Sequence, residues 1–215
     1  MPVLYLSKKA AAHMRKNLNF SNEEEEVVVY GFEMFFHNSF TIAATCLAAW
    51  LLGCLSTTLT TLLVATLLRS FSGGAHNESP LNCTLKCVVV YTSIGKVSIV
   101  YGNQIPALAN VVFVLAVLLI SFKIIWALAP VDSTAKPINS ESHRRHLRRL
   151  SLAAVVAISA LQLALLKLNY SFFSQYSLAA GLGVAWQSFT LTQAGHKFVS
   201  IFDDIVNKLK GGEKK

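Results

Sequence analysis

A histidine and a cysteine stand seven positions apart in the stretch Arg69-Ser-Phe-Ser-Gly-Gly-Ala-His76-Asn-Glu-Ser-Pro-Leu-Asn-Cys83, a short polar island between two apolar segments. These residue types can carry out acyl chemistry: a thiolate attacks a carbonyl while an imidazole takes up and returns the proton. A thiol becomes a good nucleophile when a helix N-terminus or a histidine stabilises its thiolate. Ser79-Pro80 reads as an N-cap followed by proline at the first helical position, which places Cys83 in a first turn, at the positive end of a helix dipole. Cys87, one turn later, competes as nucleophile, but it lies deeper in the apolar segment, where a thiolate is poorly solvated; Cys83 is preferred. Gly73 and Gly74 permit tight or left-handed backbone, and their loop could turn amide protons toward an oxyanion. The bland reading stands beside this one, since a His and a Cys at such spacing occur by chance in many proteins.

The surroundings set the solvent. Of the 215 residues, 53% are hydrophobic and 14% charged, with a mean hydropathy of +0.50. Soluble domains carry about 25% charged residues, so the fold class expected is an all-α integral membrane protein. The net charge of +8 does not point to nucleic acid, because the basic residues cluster at the ends of apolar segments. The four cysteines lack zinc-site spacing; Cys46 and Cys54 read as small core residues. Neither a metal set nor a phosphate loop is present, and no cofactor is expected. Gly181 and Gly183 read as helix-packing positions.

From Met34 to Leu68 there is no Lys, Arg, Asp or Glu, which is too long for one helix across a core of roughly 30 Å. Gly53 with Ser56-Thr57-Thr58 offers a reversal. The expectation is six spanning helices at about 27–54, 57–70, 84–101, 107–129, 150–168 and 171–194, with a basic loop from Pro130 to Arg149. A four-helix arrangement with some segments at the interface would keep the same orientation. With both termini cytoplasmic, Arg69, Lys136, Arg144, Arg145, Arg148, Arg149 and the tail lysines all fall inside, as the positive-inside rule requires. Residues 1–26 read as an amphipathic interfacial segment without a signal peptide, 27–194 as the membrane domain, and 195–215 as an amphipathic tail. In that tail Phe198, Ile201, Phe202, Ile205 and Leu209 share one face, while Lys197, Asp203 and Lys208 take the others. Glu33, Lys86 and Lys96 are costly inside a bilayer and suit a bundle interior or cavity, although snorkelling is an equal alternative for Lys86 and Lys123. His37 has no assigned role, and Asn77, Glu78 and Glu33 are equal candidates for a group that orients the histidine.

The pattern Arg69…Gly74-Ala-His76…Ser79…Cys83, read from the end of one membrane segment into the next, resembles the accessory gene regulator B (AgrB) family. Ala129-Pro130, Lys136-Pro137-Ile138 and the basic run up to Arg149 are similar to that family's loop after the fourth segment, as is Tyr30-Gly31-Phe32-Glu33 in the first. The resemblance covers about 25 to 195. It implies a bacterial, multi-pass membrane cysteine endopeptidase that matures an AgrD-like quorum-sensing propeptide, with His76 as base and Cys83 as nucleophile. Arg69 and Gly74 match positions in the family pattern, and Lys136-Pro137 the basic loop. The loop departs from that pattern in spreading its basic residues among Ser140, Glu141 and His143, which bears on substrate preference.

Two other classes compete. A small transporter or channel subunit would line its path with Glu33, Lys86 and Lys96, and its flux would survive loss of Cys83. A non-catalytic scaffold would tolerate replacement of both His76 and Cys83. The assembly expected of so short a chain is a homodimer, because symmetric dimers are the commonest oligomers.

Overall fold

The computed structural model describes residues 9, 22–75, 77, 79–132, 140–209 and 211. Most of the expected N-terminal interfacial segment, His76, Glu78, Lys136 and Pro137 therefore fall outside the described residues, and residues 22–26, expected in that segment, belong instead to the first long helix. Among those described the architecture is all-helical: α1 (Asn22–Leu51), α2 (Leu55–Ser72), α3 (Pro80–Tyr101), a 3-10 turn (Gly102–Gln104), α4 (Ala107–Leu128), α5 (Glu141–Leu168), α6 (Tyr170–Phe189) and α7 (Gln193–Leu209).

Among the described residues four stretches are long and apolar enough to cross a membrane, Glu26–Leu51, Pro80–Gln104, Ala107–Leu128 and Glu141–Leu168. The 22 residues of α4 span about 33 Å at 1.5 Å per residue. The other two expected spans correspond to α2 and α6, which do not meet that description. Both pack at the centre of the bundle, against each other and against α3 and α5. A central helix needs small polar residues rather than lipid-facing apolar ones, because helices approach closely through small side chains and hydrogen-bond across the contact. Thr57 Oγ1 donates to Gly95 O on α3 at 2.8 Å, and Thr61 Oγ1 to Ala179 O on α6 at 3.2 Å. Ser177 Oγ donates to Asn110 Oδ1 at 3.1 Å, joining α6 to α4. Leu68, Val64, Ile125, Val155 and Val184 form the apolar core between α2, α4, α5 and α6. Outward-facing Leu63, Leu119 and Leu161 remain exposed and suit contact with lipid tails.

Several boundaries differ from expectation. The chain reverses at Gly53, with φ 66°, but Thr57 and Thr58 are not part of the turn; they are buried in α2. The fifth segment begins at Glu141 rather than 150, so the arginines read as a loop lie on a helix. Arg148 Nε donates to Ala129 O at 2.7 Å and Arg144 Nη1 to Pro130 O at 3.2 Å. Helical spacing lets both reach the same strip of backbone. The sixth segment stops at Phe189, because residues 190–192 form a turn in which Thr192 Oγ1 accepts from Gly195 N at 3.1 Å and opens α7.

Two contacts fix α1 against α3 as a parallel pair: the Thr41 and Thr84 hydroxyls at 2.8 Å, and Lys96 Nζ donating to Leu52 O at 3.0 Å. Lys96 is therefore exposed at the bundle rim, not in a cavity, whereas Lys86 is buried, with 4% of its surface accessible. Gly181 and Gly183 serve packing as expected: a Cβ on Gly181 would come within 2.5 Å of Phe113, and one on Gly183 within 3.1 Å of Thr61 O. Gly95 is tighter still, since a Cβ there would collide with the Thr58 hydroxyl and also lie 2.9 Å from Thr58 N, whereas Gly31 faces open space. Gly95→Leu is expected to destabilise the bundle by about 1–3 kcal/mol. Thermal unfolding in detergent should show a clear fall for it and little change for Gly31→Leu.

Candidate functional site

Ser79 has the extended backbone of an N-cap, its Oγ accepts from Asn82 N at 3.2 Å, and Pro80 opens α3. Cys83 follows in the first turn, its amide donating to Ser79 O at 3.1 Å. Serine caps and proline starts a helix for the reasons read from the sequence, so the thiol stands where the helix dipole is positive. Cys83 is half-buried and reduced, and Cys87 is half-buried one turn deeper. Cys87 and His37 adjoin the Cys83 thiol, and the cations of Lys86 and Arg69 lie within its electrostatic reach. His37 reaches this place through the parallel register of α1 and α3: it precedes Thr41 by one turn, and Cys83 precedes Thr84 by one residue.

The loop before α3 is held from four directions. Arg69 Nη2 donates to Ala75 O at 2.7 Å, and Gln187 Nε2 donates to Gly73 O at 2.7 Å and to Ser72 Oγ at 3.2 Å. Val131 N donates to Ser72 O at 2.9 Å, and Ala75 N donates to Thr190 O at 3.0 Å. Gly73 and Gly74 have φ of 68° and 136°, values that glycine alone adopts without strain. A Cβ on Gly73 would collide with the Val131 carbonyl, and one on Gly74 would lie 2.7 Å from Thr190 Oγ1. The glycines thus serve close approach. The amides of Gly73 and Ala75 are not turned to an oxyanion; they already donate to Arg69 O and Thr190 O.

Of the site residues read from the sequence, Arg69, Gly73, Gly74, Ser79, Cys83 and Lys86 come together around the start of α3. Glu33 is half-buried on α1. Lys86 faces Cys83, Cys87, Arg69 and Asp203, which settles the snorkelling alternative in favour of burial; Lys123 is exposed. Asp203, expected on an outward face of the tail, is 3% exposed. Its Oδ1 accepts from Asn77 Nδ2 and Asn82 Nδ2, each at 2.9 Å. The stripe Gly195, Val199, Asp203, Val206 packs inward, while Phe198, Ile201, Ile205 and Leu209 are exposed. The spacing of that inward stripe was the available signal; the larger apolar residues of the other face obscured it.

Replacing Gly74 by alanine is expected to strain the loop by about 1–3 kcal/mol. The variant should unfold at lower temperature in detergent and should also label more slowly at Cys83 with a thiol reagent.

Residues 7–191 match the family described as Accessory gene regulator B. An AgrB-like protein of Clostridium perfringens strain SM101 is 29% identical over 209 residues, covering 95% of this chain and 98% of that one. AgrB-like protein 2 of Clostridium perfringens strain 13 is 29% identical over 214 residues, with the same coverage. An AgrB-like protein of Halalkalibacterium halodurans is 28% identical over 203 residues, covering 94% of this chain and 92% of that one. No solved structure matches. With the match spanning nearly the whole chain and four apolar helices long enough to cross a bilayer, this is a membrane protein that belongs to the accessory gene regulator B family.

Proposed function

We propose that the protein is a membrane-embedded cysteine endopeptidase of the accessory gene regulator system, acting on an AgrD-like quorum-sensing propeptide at the cytoplasmic rim. One observation carries the reading: a reduced, half-buried thiol in the Ser79-capped first turn of α3, with the cations of Lys86 and Arg69 within its electrostatic reach. A cysteine thiolate is the form that attacks a carbonyl.

The steps balance without a cofactor. Cys83 Sγ adds to the scissile carbonyl as its proton passes to the base, assigned to His76. The tetrahedral adduct collapses, the C–N bond breaks, and the departing amine of the C-terminal extension takes that proton. A thioester to Cys83 remains. A cysteine or serine side chain of the bound peptide then attacks the thioester, closing a thiolactone or lactone ring and returning the thiol. Water must be kept from the acyl-enzyme for the ring to form, and a site among apolar helices serves that need. Arg69 and the glycine loop hold the segment preceding the base. Lys86 gives the pocket positive charge that suits an acidic extension, and Lys136-Pro137 is assigned to substrate contact.

In proteoliposomes with a synthetic propeptide, wild-type protein should release the extension and yield a cyclic product of the corresponding mass. Cys83→Ala and His76→Ala should each reduce both products to background. Continued cleavage by Cys83→Ala would refute the assignment.

A further inference from the structure

We propose that Asp203, on the C-terminal helix α7, is a positioning residue of this site that holds the predicted base and nucleophile in register. The inference rests on the peptidase reading above. Its two amide donors are chain neighbours of the two reactive residues: Asn77 follows His76, and Asn82 precedes Cys83. A single carboxylate oxygen accepts from both, at 2.9 Å each, across separations of 126 and 121 positions. Asn207, one turn further along α7, accepts a second bond from Asn82 Nδ2 at 3.2 Å.

Docking alone does not explain a carboxylate here. The rest of the inward stripe of α7, Gly195, Val199 and Val206, is small and apolar, and another apolar residue would bury at lower cost than a charge. A buried carboxylate persists where charges and donors compensate it. Here two amides bond it, and the buried ammonium of Lys86 lies within its field. The Asn77 amide shows what is gained. Its Oδ1 is buried without a partner, so the bond from Nδ2 to Asp203 sets the orientation of the side chain next to His76. Asp203 also lies beyond the family match, which ends at residue 191.

The test uses full-length protein in proteoliposomes with a synthetic propeptide. Asp203→Asn keeps the volume but replaces one acceptor oxygen with a donor. It is expected to lower kcat about 10- to 100-fold, the scale on which small misplacement slows chemistry, while KM changes less than about threefold. Asn77→Ala should lower kcat similarly, and the double variant should be no worse than the poorer single, since both act through one contact. Val206→Ala, which loosens the same docked face, should leave kcat near wild type. A kcat within twofold of wild type for Asp203→Asn, or additive losses in the double variant, overturns the proposal. Should Asp203→Asn fail to fold, Asn77→Ala decides alone, an unchanged kcat overturning it. Either failure with Cys83→Ala inactive leaves the peptidase assignment standing. A Cys83→Ala variant that still cuts removes the assignment itself.

Discussion

Backbone amides and carbonyls buried among packed helices must find partners within the protein, and the loop from Ser72 to Ala75, buried just ahead of α3, carries that demand. There the chain leaves helical geometry among packed helices, so its polar groups cannot rely on the i to i−4 ladder. They are met by Arg69 from α2, Val131 from the α4–α5 connection, and Gln187 and Thr190 from α6 and the turn after it. The connection is itself held, because Arg144 and Arg148 of α5 bond the carbonyls of Pro130 and Ala129. A chain of polar contacts thus runs from the basic turns of α5 to the doorstep of Cys83. Loss of any link leaves a buried group unsatisfied, at a cost of about 1–3 kcal/mol.

The same demand explains why two helices with buried threonine, serine and glutamine pack at the centre of the bundle. α2 and α6 carry threonine, serine and glutamine where neighbouring helices offer carbonyls and amides, while the four helices long and apolar enough to span among the described residues are α1, α3, α4 and α5. Small residues and glycines bring the backbones close enough for those bonds. A bundle built this way tethers the segment from Ser72 to Ala75 to three other elements just ahead of α3.

Much of this was legible locally. Ser79 and Pro80 mark the start of α3 because capping and proline chemistry act within one turn. Gly53, Gly73 and Gly74 mark positive φ because only glycine tolerates it at low cost. The apolar runs located the long helices, and Arg69 and Lys86 were legible as costly groups that demand a reason. Other features rest on contacts far apart in the chain. His37 reaches Cys83 only through the register of α1 on α3. Asp203 looked like one of several charges on an amphipathic tail, and its burial depends on where α7 docks. The arginines from 144 to 149 read as loop by composition, yet their bonds to the 129–130 backbone are made from a helix.

The sequence by itself determined the apolar surroundings, the helical class, the turn at Gly53, the cap of α3 and the place of Cys83 in its first turn, because each follows from the properties of one to four neighbouring residues. Only the tertiary structure decided which helices are central, which charge is buried, and which distant side chains converge on the start of α3. Those outcomes depend on packing and on pairing of polar groups in low dielectric. Both are set by the whole bundle at once, not by any one stretch of chain.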